Sequence, residues 1–230
     1  MSRGVINRRG FLLSGPVGAA ALSVGACSER PKSSAPPPYA PTYLTESEWV
    51  FVRAVVARLI PEEGTGPGGL SVHVPEFIDR QLELPYGYGA FMYLKGPFVP
   101  GTAPSLGYQL RYTPREIYRL GIADANEAAR RSFGKEFISL PGPQQDQLLQ
   151  QMEAGQIRFS RIPADVFFSQ LLANTKEGYF ADPQYGGNRD MAAWRWIGFP
   201  GARADFTDWI EQAGKAYPLG PVSIAGMRRG

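Results

Sequence analysis

Residues 113–138 read TPREIYRLGIADANEAARRSFGKEFI. Thr113 followed three positions later by Glu116 is a capping box, in which hydroxyl and carboxylate satisfy amide groups left free at a helix start. Pro114 suits the first helical position, where no N–H is required. The stretch therefore predicts a helix from Pro114 to about Ile138, with Ile117, Leu120, Phe133 and Phe137 among its buried positions.

The same grammar recurs on both sides. Thr45 and Glu48 form a second capping box, followed by Trp49, Val52, Val56, Leu59 and Ile60 at helical spacing and by Pro61 as a stop. A helix from about Val74 to Leu84 places Phe77, Ile78 and Leu82 inward. Pro141 to Gly155 forms another through Leu148, Leu149 and Met152, and Pro163 to Glu177 one more through Val166, Phe167, Leu171 and Leu172. A last helix is expected across Asp205–Lys215. No sustained alternation marks a sheet, and no repeat of 20–50 residues occurs. The fold class is mainly α: a single irregular helical domain over residues 44–218, with long Gly/Pro/aromatic loops and a short tail at 219–230.

Two loops stand out. Residues 64–69, Gly-Thr-Gly-Pro-Gly-Gly, lack the following Gly-Lys-Ser/Thr that a phosphate cradle needs. Residues 85–112 open with Pro85-Tyr86-Gly87-Tyr88-Gly89 and stay rich in Gly, Pro and aromatics. A stretch of that length without periodicity is unusual inside a compact domain and tends to be functional. It is either a surface that docks on another protein or a loop packed on its own domain.

The chain has 230 residues, 43% of them hydrophobic, enough for one domain with a real core. Of its 24 basic side chains three, Arg3, Arg8 and Arg9, fall in residues 1–26, which hold no acid; the other 21 equal the 21 acids. A neutral body gives no electrostatic reason to bind nucleic acid. One cysteine and one histidine exclude an internal disulfide, iron–sulfur clusters, c-type haem and a Cys/His zinc site within this chain.

The first 26 residues read as an export address. Arg8-Arg9 followed by Gly10-Phe11-Leu12 resembles the signal of the twin-arginine machinery, which carries folded proteins. The Gly/Ala-rich run from Gly10 to Ala26 falls short of the roughly 20 apolar residues of a spanning helix. Small residues before Cys27 resemble a lipoprotein processing site, with acylated Cys27 as the first mature residue. Plain cleavage after Ala26 and retention as an uncleaved anchor are the other two readings. Residues 28–43, SERPKSSAPPPYAPTY, form an extended Pro/Ser linker able to span about 45 Å.

The most specific stretch is Glu177-Gly178-Tyr179-Phe180-Ala181-Asp182-Pro183-Gln184-Tyr185-Gly186-Gly187-Asn188-Arg189-Asp190, followed by Trp194-Arg195-Trp196-Ile197-Gly198-Phe199-Pro200-Gly201. It resembles the signature of the gluconate 2-dehydrogenase subunit 3 family. Gly107-Tyr108-Gln109-Leu110, Thr113-Pro114, Tyr118-Arg119 and Leu59-Ile60-Pro61 are similar to other parts of that family, so the resemblance covers roughly residues 43–215. It implies a non-catalytic small subunit of a membrane-bound complex in the periplasm. A large FAD subunit would oxidise the sugar acid, and a haem c subunit would pass electrons onward. The small subunit would escort the flavoprotein through twin-arginine export, which explains why a domain without a cofactor uses a route for folded cargo. A related sugar or polyol dehydrogenase is the alternative complex.

Within the signature, Gly186-Gly187-Asn188 is turn chemistry that tolerates positive φ. The side chains expected to bind a partner are Tyr179, Phe180, Tyr185, Arg189 and Trp194, held by Gly186, Gly187 and Asn188, since Tyr, Trp and Arg are enriched at interface hot spots. The rival reading is a staple within the domain. Trp194 and Trp196, two apart on a helix, cannot face the same way, so one is expected inside and one outside. For intrinsic catalysis the sequence offers His73 as the only imidazole, the carboxylates of Asp182 and Asp190, and Lys176 as an amine. No spacing singles them out. A binding lipoprotein with an unrelated partner is a third class.

Overall fold

The computed structural model describes residues 39–99 and 101–226; the export motif of Arg8, Arg9, Phe11 and Leu12, and Cys27, lie outside them. Among the described residues there are six α-helices and no strand: α1 Glu46–Leu59, α2 Val74–Glu83, α3 Pro114–Phe133, α4 Gly142–Glu153, α5 Ala164–Phe180 and α6 Ala192–Ile197. None is long and apolar enough to cross a membrane.

Both capping boxes form. Thr45 Oγ1 accepts from Glu48 N while Glu48 Oε2 accepts from Thr45 N at 2.9 Å, and Thr113 and Glu116 repeat the exchange at α3. The cap of α1 also serves packing, because Arg119 of α3 donates to the Glu48 carboxylate at 2.7 Å.

Helix α5 is the hub, touching all five other helices. Its Phe167 meets Tyr118 of α3 edge-on at 6.1 Å, Phe51 of α1 at 6.4 Å and Phe159 at 6.4 Å, and Phe51 in turn meets Phe137 at 4.9 Å. These rings are buried and anchor one continuous core with Val52, Val55, Val56, Ile117, Leu148, Met152 and Leu171. Aromatic pairs of this geometry contribute roughly 0.5–1.5 kcal/mol each beyond the area they bury. Helices α3 and α5 can approach because Gly121 faces Phe167; a Cβ there would lie 2.2 Å from the ring.

Buried polar groups tie the layers together. Asn174 of α5 accepts from the Tyr118 hydroxyl at 3.1 Å and donates to the Tyr86 hydroxyl at 2.9 Å. Asp124 of α3, almost fully buried, accepts from Ser160 Oγ at 2.7 Å, from Arg161 N at 2.8 Å and from the Arg161 guanidinium. Asp79 of α2 is wholly buried and accepts five hydrogen bonds from residues 39–44: the Tyr39 hydroxyl, Thr42 N and Oγ1, Tyr43 N and Leu44 N, at 2.7–3.0 Å. Burial pushes its pKa up, but the Leu44 and Thr42 amides and the Tyr39 hydroxyl outweigh it and hold the carboxyl below its ordinary value. The same arrangement lifts Tyr39, by burial and then by its bond to Asp79, to about 12.

Three helix boundaries depart from the sequence reading. Helix α3 ends at Phe133, not near Ile138, because Gly134 adopts φ +72° and closes the helix with its N–H on Arg130 O. Phe137 is still buried, carried by a separate 3-10 turn whose amide bonds Asn126 of α3. Helix α5 runs on to Phe180, three residues past Glu177, until Asp182-Pro183, where the residue before proline resists the α conformation. No α-helix covers Asp205–Lys215; only a 3-10 turn at Thr207–Trp209 forms. Asp205 accepts from both the amide and the hydroxyl of Thr207, a local alternative to helical bonding. Phe206 and Trp209 instead close on Tyr217, both at 5.4 Å, and Ile210 remains 70% exposed, so a helix would have had no face to bury.

Candidate functional site

The signature stretch begins as the last turn of α5 and leaves it through a chain of small clamps. Asp182 is buried; its Oδ1 accepts from Gln184 N at 3.1 Å and its Oδ2 from Ile224 N at 2.6 Å, which fastens residues 221–224 to the domain. The 3-10 turn Pro183–Tyr185 ends at Gly186 with φ +100°. Gly187 then passes so close to α5 that a Cβ would lie 2.1 Å from Gly178 O. Asn188 is fully buried: its Nδ2 donates to Ala181 O and its Oδ1 accepts from Ala193 N, both at 3.0 Å, joining the end of α5 to the start of α6.

Backbone strain is concentrated here. Four non-glycine residues with positive φ occur among the described residues: His73, Asn188, Asp190 and Met191. They meet in space, because Arg189 N donates to Val72 O at 3.1 Å and Arg189 Nη1 lies 3.1 Å from His73 Nε2. A guanidinium only donates, so in this contact His73 Nε2 takes the acceptor role. Conformations of this kind cost about 1–3 kcal/mol each and persist where the surroundings over-determine them. The clamps of Asn188 supply that over-determination.

The side chains expected to meet a partner divide into two sets. Tyr179, Gly187, Asn188 and Trp194 are buried in their own domain. The Tyr179 hydroxyl donates to Pro67 O at 2.7 Å, and Trp194 Nε1 donates to Phe180 O at 2.9 Å while its ring meets Phe199 edge-on at 5.1 Å. Phe180, Tyr185 and Arg189 are exposed, and Gly186 is half-buried. The paired tryptophans separate as their spacing requires: Trp194 is 6% exposed and Trp196 51%.

Of the groups considered for catalysis, His73 and Asp190 both approach Arg189. Lys176 is exposed on α5, Asp182 is committed to turn bonding, and Asp190 pairs loosely with Arg189 at 3.6 Å. Among the described residues no three His, Cys, Asp or Glu side chains gather as a metal would need. Glu76, on the first turn of α2, has one carboxylate oxygen buried without a hydrogen-bond partner; its place near the positive end of that helix compensates in part.

A groove of about 310 Å³ opens between α2 and the signature, lined by Thr42, Arg80, Leu84, Gln184 and Tyr185 among others. Its position went unread in the sequence, because Leu84 and Tyr185 are a hundred residues apart and share no local pattern. Asp79 carried a faint signal: an acid beside Ile78 on the apolar face of a helix needs donors from somewhere.

No curated protein and no solved structure matches the chain. The family model described as gluconate 2-dehydrogenase subunit 3 matches residues 46–201, from the first turn of α1 to the end of the signature. The chain belongs to the gluconate 2-dehydrogenase subunit 3 family.

Proposed function

We propose that this chain is the non-catalytic small subunit of a periplasm-facing, membrane-associated dehydrogenase complex, and that it escorts the flavin-bearing subunit through twin-arginine export. Family membership makes it a subunit of an oxidoreductase complex of the gluconate 2-dehydrogenase kind. The observation that carries the finer reading is the pairing of that subunit domain with Arg8-Arg9-Gly10-Phe11-Leu12 at the N-terminus. A small domain without a cofactor of its own has no evident need of a route for folded cargo. A cofactor-loaded companion has one.

In this reading FAD and haem c belong to the large and cytochrome subunits, and gluconate or a related sugar acid is oxidised on the flavoprotein. Acylated Cys27 or the cytochrome subunit holds the assembly at the cytoplasmic membrane. Two acyl chains anchor durably where one binds reversibly. Of the side chains expected to meet a partner, Phe180, Tyr185 and Arg189 are exposed, and Trp196, Ile197 and Phe199 of the signature are exposed beside them.

The test replaces Arg8 and Arg9 by lysine in the native host and follows dehydrogenase activity in periplasm and cytoplasm. Flavoprotein activity is expected to remain in the cytoplasm. Full periplasmic activity in a strain lacking the chain would sink the escort role, and turnover of a sugar acid by the purified chain alone would sink its non-catalytic status.

A further inference from the structure

The region beyond α2 has an unusual surface. Between Leu84 and Tyr112 there is no acidic residue, and Lys95 and Arg111 are the only charged side chains. Phe91 is 82% exposed and Tyr93 74%, with Tyr88, Val99 and Leu106 also exposed. So many exposed large apolar side chains within one segment point to an interaction site rather than ordinary surface.

The segment is nonetheless built, not loose. Tyr86 is fixed to α5 through Asn174 and Gln170, and Gly87 O accepts from Arg115 N at 3.2 Å. The Arg115 guanidinium lies between the rings of Tyr43 at 4.3 Å and Tyr88 at 4.1 Å. Gln109 ties the far arm, accepting from Val99 N at 3.2 Å and donating to Leu106 O at 3.1 Å. The acids that flank the segment in sequence are engaged: Glu83 faces Arg115 at 3.7 Å, and Glu116 caps α3. Lys95 and Arg111 are exposed, and Arg111 lies over the Tyr112 ring at 5.2 Å and donates to its hydroxyl at 3.3 Å.

Leu84 opens this segment and also lines the groove it shares with Tyr185. The first residue of the segment thus meets the exposed Tyr185 of the signature across one groove. A concave apolar socket takes a side chain of a protein; a lipid surface has no use for it.

We infer that residues 84–99 and 101–112, together with the groove between Leu84 and Tyr185, form the docking surface for the cofactor-bearing catalytic subunit, whose matching face is apolar with an acidic rim. This rests on the subunit role proposed above. Preorganised aromatic anchors spare the partner the entropy of ordering them. The cations add steering and specificity more than raw affinity.

The full-length chain, tagged and produced in its own host, is purified from detergent-solubilised membranes with its complex, and bound flavin per chain is measured across a salt series. Phe91→Asp with Tyr93→Asp is expected to weaken retention of the flavoprotein by about 30-fold, the scale of a lost hot spot. Lys95→Glu with Arg111→Glu is expected to weaken it by about tenfold and to flatten its salt dependence. Ile210→Asp, on an exposed site outside the surface, is expected to retain the wild-type flavin ratio. Thermal melts verify that each variant folds. Wild-type flavin ratios in both double variants overturn the inference while leaving the subunit role intact. Loss of binding to phosphatidylglycerol vesicles, with flavin retained, overturns it in favour of a membrane-facing loop. A wild-type chain that brings no flavin removes the subunit role and this surface with it.

Discussion

Two irregular regions of this molecule share a vocabulary of glycine, proline and aromatics and use it in opposite directions. The signature at 177–201 fixes its bends inward: Tyr179, Gly187, Asn188 and Trp194 are buried and bonded to backbone, while Phe180, Tyr185, Trp196, Ile197 and Phe199 form an exposed remainder. Residues 84–112 turn outward: the roots are bonded to α3 and α5, and Phe91 and Tyr93 stand in solvent. The bends of the region most specific to the family are therefore scaffold, and its most exposed rings, near 50%, stand less free than Phe91 and Tyr93 of the plainer region. Identity of sequence and availability for contact are separate properties.

The sharpest way to break that contrast is at Gly187. Gly187→Ala drives a methyl into Gly178 O, a backbone atom that cannot swing aside. It is expected to cost at least about 3 kcal/mol, read as a lowered urea midpoint or failure to fold. A variant of wild-type stability would mean the signature is not clamped to α5.

Asp79→Asn comes next, at about 3 kcal/mol, because an amide nitrogen would face the Tyr43 and Leu44 N–H groups. The wild-type carboxyl has a folded pKa below its unfolded value near about 3.9. Its contribution is thus fully present above that pH and lost as pH falls through the folded value. Acid titration of stability should show this loss below about pH 4 in wild type and a flatter profile in Asp79→Asn. Equal slopes would dissociate Asp79 from the acid limb.

Asn188→Ala removes two buried hydrogen bonds and leaves Ala181 O and Ala193 N without them. About 2 kcal/mol is expected by urea denaturation. At the bottom of the scale, Phe91→Ser should change stability by less than about 0.5 kcal/mol, as for surface sites away from packing. A cost of several kcal/mol would show that the outward loop is part of the core and erase the contrast.

What could be read in advance was what local chemistry decides. Thr45 with Glu48 and Thr113 with Glu116 announce helix starts because donor and acceptor lie three residues apart. The inward positions of α2 followed from spacing alone, and the separation of Trp194 from Trp196 from helical geometry. Gly134 was a legible stop that the run of apolar residues up to Ile138 overrode. The absence of a helix across 205–215 was not legible, since Tyr217 captures Phe206 and Trp209 from outside that window. Nor was the inward turn of the signature, because irregular backbone has no period from which to infer a face. The Asp79 cluster and the Leu84–Tyr185 groove join residues whose distance in sequence hides them.

The fastening of residues 39–44 to Asp79 has a mechanical meaning. Any pull on the chain ahead of Tyr39 arrives at five hydrogen bonds sharing one carboxylate before it can reach the first turn of α1. The cluster works as a cable clamp: tension is shed into the side of α2, and the helix that opens the fold never carries the load.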